Sequence, residues 1–326
     1  MMSVPIVETR GLVKRYDDQV AVAGVDLRVG PGEIFGLVGP NGAGKTTMMR
    51  ILATLLAPTA GEALVTGIPV QADPIEVRRR IGYMPDFYGV YDDLRVWEYL
   101  DFFARCYGVP ANRRVAMIGE LLEIVGLSDR RESYVESLSR GMRQRLCLAH
   151  TLVHDPALLI LDEPASGLDP RARVEMREIL RELRSMGKTI LVSSHILPEL
   201  GEMCTGVAII DHGRVLRSGR IDEIERSLRA SAVVRVELLG DAEGIASATE
   251  WLGADARVGS VLRIDDRSDE VAMLELSFEG SDAEQADLLR ELVAADHRVV
   301  GFSRAASDLE EIFLRVTGEH GEEADA

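Results

Sequence analysis

The stretch Gly39-Pro40-Asn41-Gly42-Ala43-Gly44-Lys45-Thr46-Thr47 concentrates residue types that can hold a triphosphate, and it lies between an apolar run, Ile34 to Val38, and a helix-like run, Met48 to Leu56. Glycines at 39, 42 and 44 let the backbone curl so that successive N–H groups point at phosphate oxygens. The helix that follows turns its positive dipole end toward the same anion. Lys45 supplies a point charge for the β- and γ-phosphates, and Thr46 a hydroxyl for Mg2+. The bland alternative is an ordinary glycine-rich turn; the strand before the loop and the helix after it favour a nucleoside triphosphate site.

Holding phosphate is not cleaving it, and three further residues bear on cleavage. Asp162 follows the continuous apolar run Ala157-Leu158-Leu159-Ile160-Leu161, at the carboxyl end of a strand, where ligands bind in open α/β sheets. There it can hold the same Mg2+ that Thr46 touches. Glu163 comes next, and a carboxylate beside a metal-binding aspartate can polarise a water for attack on the γ-phosphate. His195 ends the run Val192-Ser193-Ser194-His195, which places an imidazole at the same edge of the sheet.

These residues need strands and helices in alternation. Residues from Pro5 to Val29 alternate apolar and polar positions, which predicts short antiparallel strands ahead of the loop. Pro58 to Gly67 reads as turn-rich, and Val77 to Tyr83 as an approach to another strand. From Leu94 to Leu127 the spacing is helical, with Val96, Tyr99, Leu100 and Phe103, then Val115, Ile118, Leu121, Leu122 and Val125, forming a core stripe. A helix runs from Ser139 to Val153, and another from Arg171 to Met186. Strand-like runs follow at Thr189 to Val192 and Val207 to Ile210, so the alternation predicts a mainly parallel sheet. Beyond Ser227 the pattern becomes strand 232–239, helix 242–252, strand 257–265, strand 271–278, helix 282–295 and strand 297–304. That βαββαβ order predicts a small α+β ferredoxin-like domain over 231–317, followed by a disordered acidic tail at 318–326.

With 326 residues and 46% hydrophobic content the chain is long enough for two domains. A formal net charge of −17 gives no general attraction for a phosphate backbone, so nucleic acid is not an expected partner. The cysteines, Cys106, Cys147 and Cys204, are widely spaced and read as buried small side chains in a reducing compartment, with no disulfide or metal site. The N-terminus has no signal-peptide pattern, and no stretch approaches 18 uninterrupted apolar residues, so a membrane role would have to come from a partner.

Together these residues resemble one family, the ATP-binding subunits of ABC transporters, over about Val7 to Gly219. Residues 39–47 look like its Walker A loop, and Leu158 to Pro164 like Walker B with its catalytic glutamate. Leu138-Ser139-Arg140-Gly141-Met142 occupies the place of the signature LSGGQ, Ser166-Gly167-Leu168-Asp169 looks like the D-loop, and His195 like the switch histidine. Tyr16 is similar to the aromatic that stacks on adenine. The resemblance implies a P-loop NTPase domain over 4–226, with a mixed sheet core, an antiparallel β subdomain and a helical subdomain at about 86–150. It also implies ATP and Mg2+ as cofactors, and a head-to-tail dimer in which Ser139, Arg140, Gly141 and Met142 of one copy face the ATP held by the other.

Three positions in two motifs depart from the family pattern. The first glycine of the signature is Arg140 and its glutamine is Met142, which leaves Ser139 and Gly141 for the phosphate contacts. Two roles are open to Arg140, a positive charge near the partner's ATP or a side chain that points to solvent. After Ile81-Gly82-Tyr83-Met84-Pro85 the chain has Asp86 where the family carries glutamine. An aspartate can bind Mg2+ or a water but cannot donate a hydrogen bond, and the alternative for Asp86 is a simple turn residue.

The C-terminal domain and the stretch Asp308-Leu309-Glu310-Glu311-Ile312-Phe313-Leu314 are similar to the branch that pairs with separate type-2 permeases, including antibiotic and lipid exporters. That implies a peripheral subunit on the cytoplasmic face of the cell membrane, bound to a multi-span permease. Tyr88, Tyr91 and Trp97 are candidate permease contacts, or ordinary packing aromatics. A regulatory ATPase of the same type, without a transport role, is the alternative function.

Overall fold

The computed structural model describes residues 4–17, 19–87, 89–221, 223–224, 232–268, 271–278 and 280–304. Tyr88, the stretch from Asp308 to Leu314 and the tail 318–326 lie outside them. The chain divides into two units, Met1–Ile221 and Asp222–Ala326.

In the first unit, β1 (Val7–Tyr16) and β2 (Gln19–Val29) pair antiparallel. Next come β3 (Ile34–Val38) and, across the glycine-rich loop, α1 (Lys45–Leu52). Strands β4 (Ala60–Val65) and β5 (Ile68–Pro69) then join the first pair in a sheet ordered β2-β1-β4-β5. The turn-rich expectation for Pro58 to Gly67 therefore gives way to a strand. The first three residues of β4 are exposed, so its apolar signal is short and its pairing with β1 sets its conformation.

The strand expected from Val77 is mainly helix α2 (Pro74–Arg80), with β6 confined to Ile81–Met84. Asp73 caps that helix by accepting from the Glu76 N–H, and Pro74 fits its first turn, so local capping outweighs the short apolar pattern.

Helices α3 (Val96–Cys106), α4 (Ala111–Ile124) and α5 (Arg140–Leu152) form the helical part. Val96, Tyr99, Leu100, Ile118, Leu121, Leu122 and Val125 are buried as the stripe requires, whereas Val115 is exposed on the outer side of α4. Cys106 is also exposed, at the last turn of α3, which corrects the expectation that all the cysteines are buried.

After α5 come β7 (Leu158–Leu161), α6 (Pro170–Ser185), β8 (Thr189–Ser194), α7 (Leu197–Gly201), β9 (Gly206–Asp211) and β10 (Arg214–Arg220). The sheet order is β10-β9-β3-β8-β7-β6; β9, β3, β8, β7 and β6 run parallel, and β10 pairs antiparallel at the edge. Strands β3, β7, β8 and β9 are buried along their whole length, as strands covered on both faces are. This order puts the carboxyl ends of β3, β8, β7 and β6 side by side. The glycine-rich loop, His195, Asp162 and Asp86 thus emerge along one edge of one sheet.

In the second unit the order is β11 (Ala232–Leu239), α8 (Ala242–Gly253), β12 (Val258–Ser268), β13 (Val271–Phe278), α9 (Asp282–Ala294) and β14 (Val299–Arg304). The strands form an antiparallel sheet ordered β12-β13-β11-β14. Alternate residues of β13 are buried, and Leu274, Leu276 and Phe278 pack with Leu252 of α8 and Leu288 and Leu292 of α9.

Candidate functional site

The glycine-rich loop is held from below by backbone. The Ala43 carbonyl accepts from the Gly213 N–H at 3.0 Å, and the Gly213 carbonyl accepts from the Ala23 N–H at 2.8 Å. Gly44, at φ 104°, begins α1 against the Ala21 carbonyl, where a Cβ would sit 2.3 Å from that oxygen. Only glycine fits this position. Helices α2, α5 and α6 are capped by Asp73, Ser139 and Asp169, whereas α1 has no side-chain cap and no acidic residue in its first turn. Its first N–H groups and dipole are accordingly available to an anion.

Lys45 is 6% exposed, and its ammonium donates to the carbonyls of Gly39 at 2.6 Å and Pro40 at 3.1 Å. Its Nζ lies 3.7 Å from Glu163 Oε1. Burial pushes the Lys45 ammonium below its ordinary pKa, against the opposing pull of Glu163 and then Asp162. Such a cation in a dry pocket gains strongly from a phosphate beside it.

Asp162 is buried, and its two carboxylate oxygens differ. Oδ1 accepts from the Ser193 hydroxyl at 2.7 Å, whereas Oδ2 has no hydrogen-bond partner. A buried carboxylate oxygen without a partner is costly unless something occupies its lone pairs, and a divalent cation would do so. With the half-buried Thr46 hydroxyl at the start of α1, the donors are hard oxygens of the kind Mg2+ takes.

Glu163 takes φ +50°, a left-handed backbone that a side-chain-bearing residue adopts at some cost. It is held there from several directions. Its N–H donates to Ser193 Oγ at 2.9 Å, and its carbonyl accepts from the Ser166 N–H at 3.0 Å. Its Oε2 lies 3.0 Å from His195 Nδ1. With the carboxylate ionised, Nδ1 carries the proton of that bond, which leaves Nε2 on the outer edge of the ring. Glu163, Ser166, Gly167, Ser193 and His195 line a cavity of about 140 Å3 with Arg173 and Glu199.

Local sequence does not mark Ser193 as a site residue. Its hydroxyl is fully buried in β8 and bridges the Asp162 side chain to the Glu163 backbone. The available signal was a polar residue in an otherwise apolar run, one residue before the strand end.

Lys45, Asp162, Glu163 and His195 converge, and other candidates lie apart from them. Asp86 is exposed two residues past β6. Burial, with the charges of Asp162 and more weakly Asp86 and against that of Arg50, pushes the Tyr83 hydroxyl up. Tyr16 ends β1 half-exposed, with Lys14 Nζ 5.0 Å from its ring centroid. Ser139 caps α5 by accepting from the Met142 N–H at 3.3 Å. Among the described residues no hydrogen bond joins 139–142 to the loop at 39–47. Tyr91 is exposed against Phe102, and Trp97 donates to Glu132 at 3.2 Å.

A family model described as ABC transporter matches residues 22–166. The daunorubicin/doxorubicin resistance ATP-binding protein DrrA of Streptomyces peucetius is 39% identical over 312 residues, 96% of this chain and 92% of that one. A Nod factor export ATP-binding protein I of Burkholderia pseudomallei (strain 1710b) is 43% identical over 218 residues, 67% of this chain and 72% of the relative. Among solved structures, an ATP-binding subunit of an ABC transporter superposes with a TM-score of 0.62 at 31% identity, covering 68% of this chain and 93% of that one. The protein cbiO1 of Clostridium perfringens, part of the ABC transporter complex cbiONQ, has a TM-score of 0.62 at 25% identity, covering 70% and 95%. The match to DrrA is longer than the first unit and extends into the second.

Proposed function

Because the chain belongs to the ATP-binding family of ABC transporters, we propose that it binds and hydrolyses ATP to drive export through a separate membrane permease. The observation that carries hydrolysis is the convergence of Lys45, the orphaned Asp162 oxygen and the Glu163–His195 pair beside an uncapped helix start. In this reading residues Gly39 to Thr47 wrap the phosphates with backbone N–H groups and Lys45 adds its charge. Tyr16 stacks on the adenine.

Thr46 and Asp162 Oδ2 are the residues that would hold Mg2+, with Asp86 a further oxygen at the same sheet edge. The cation would offset the negative charge that develops in the transition state. Glu163 takes a proton from a water as its oxygen bonds to the γ-phosphorus, and the bond to the bridging oxygen breaks with its electrons leaving on ADP. His195 holds the Glu163 carboxylate through Nδ1 and turns Nε2 toward the γ-phosphate.

Ser139, Arg140, Gly141 and Met142 lie apart from this chain's own loop, which supports a second copy as the source of the missing contacts. We read the complete site as shared between two copies arranged head to tail. No helix among the described residues is long and apolar enough to cross a membrane. In this reading a permease partner supplies the membrane span, and the names of the relatives, in drug resistance and Nod factor export, support export. The protein would sit peripherally on the cytoplasmic face of the membrane. Residues 4–226 are the ATPase domain, and 231–317 a ferredoxin-like accessory domain.

The experiment is steady-state ATP turnover by the purified chain with Mg2+, alone and with membranes that contain its permease. Removing a general base costs about 10^2–10^4-fold, so Glu163→Gln is expected to lower kcat by that order. Undiminished turnover in that variant would exclude Glu163 as the base. Failure to recover a multi-span protein with the tagged chain from membranes would favour the regulatory alternative.

A further inference from the structure

Arg140 stands where the related signature has glycine, and its exposed side chain folds back onto its own chain. Its Nη2 donates to the Ser166 carbonyl at 3.1 Å. The guanidinium lies flat against Gly167, where a Cβ would come within 2.4 Å of Nη2 and 2.5 Å of Cζ. Gly167 takes φ +66°, which disfavours a side chain there, and an added Cβ would also displace the guanidinium. Of the same helix, Arg143 donates to the Leu138 and Glu136 carbonyls, and Arg145 to that of Val125 while pairing with Glu175 of α6 at 3.4 Å. Arg140 instead reaches the turn after Glu163.

What it reaches is a residue hydrogen-bonded to the proposed base. The Ser166 N–H donates to the Glu163 carbonyl at 3.0 Å while the Ser166 carbonyl accepts from Arg140. On the far side of the turn the Leu168 carbonyl accepts from Arg173 Nε at 3.0 Å, and Arg173 pairs with Glu199 of α7 at 2.9 Å. A continuous path thus runs from the start of α5 to Glu163 on one side and to the segment after His195 on the other.

Resting on the reading above, we propose that Arg140 is a positioning residue. It ties the signature segment of this chain to the turn that fixes this chain's own Glu163, so that ordering residues 139–142 against a partner's nucleotide also orders the local base. The arginine replaces the signature glycine without adding a contact to nucleotide.

The test uses the full chain with ATP and Mg2+, and the variants Arg140→Ala, Arg140→Lys, Arg140→Gly, Gly167→Ala and the pair Arg140→Gly with Gly167→Ala. Losing a hydrogen bond from a charged donor at this surface predicts that Arg140→Ala lowers kcat about three- to tenfold while the KM for ATP stays unchanged. Arg140→Lys, which keeps one donor, recovers part of the loss. Gly167→Ala is predicted to lower the melting temperature more when residue 140 is arginine than when it is glycine, because only the arginine collides with the new methyl. A raised KM with intact kcat in Arg140→Ala would overturn the proposal and assign the charge to the partner's phosphates. Additive melting shifts would also overturn it, because they would mean that no contact exists. The melting cycle needs no hydrolysis, so a wild-type chain without ATPase activity would defeat the functional reading and leave the contact separately testable.

Discussion

Replacing Ser193 by alanine removes one oxygen and two restraints. The hydroxyl is fully buried, donates to Asp162 Oδ1 at 2.7 Å and accepts the Glu163 N–H at 2.9 Å. A hydrogen bond to an ionised group contributes about 1.5–3 kcal/mol and a neutral one about 1 kcal/mol. The structure gives neither group a replacement, because Asp162 Oδ2 already lacks a partner. The expected loss of stability is therefore about 2–4 kcal/mol without nucleotide, a melting temperature lowered by roughly 4–16 °C for a unit of this size. The second effect is on metal. A side chain that orients a metal-holding carboxylate contributes about 10–100-fold in affinity, so the Mg2+ concentration for half-maximal turnover should rise by that factor. Ser193→Thr keeps the hydroxyl and should stay near the parent. Differential scanning fluorimetry and a Mg2+ titration of ATP turnover measure the two effects. An alanine variant with unchanged melting and unchanged Mg2+ demand would refute the reasoning that Ser193 holds Asp162 and Glu163.

Burial against Phe103, whose ring centroid is 3.6 Å away, takes His150 from its ordinary 6.5 to about 4, with the nearby His154 adding to the shift. The unfolded chain therefore binds a proton between those values that the folded chain refuses, and stability must fall as pH drops through 6.5 toward 4. Between pH 7 and 5 this residue should cost about 2 kcal/mol, a slope that His150→Phe should remove from a pH series of urea denaturations. Burial also pushes the Cys147 thiol up to about 12 and raises that of Cys204, while Cys106 is exposed at the end of α3. A maleimide mass shift on the native protein should appear at Cys106 and reach the other two only after denaturation.

What the sequence made legible was chemistry carried by neighbouring residues or by strand ends. The glycine-rich loop is one continuous segment, and Asp162, Glu163 and His195 each follow an apolar run, so their meeting needed only the rule that parallel strands share a carboxyl edge. Ser193 escaped because its role depends on β7 across the ladder, 31 residues away from Asp162. Arg140 kept two open readings for the same reason; its acceptor, the Ser166 carbonyl, is 26 residues on and belongs to a turn whose shape local spacing does not reveal. Strand β4 was missed because half of it is exposed and its conformation comes from pairing with β1, whereas β13, with every second residue buried, is readable from its own alternation.

In the proposed function this chain carries a catalytic half and a signature half of the site, and only a second copy joins them around ATP. Sedimentation of the Glu163→Gln variant tests it most directly, since slowed hydrolysis should trap the nucleotide between subunits. The account predicts a monomer without ATP and a dimer with it, and Ser139→Arg should abolish the dimer while ATP binding to the monomer persists. A Glu163→Gln chain that binds ATP and remains monomeric at saturating nucleotide, in the presence of Mg2+, would contradict it.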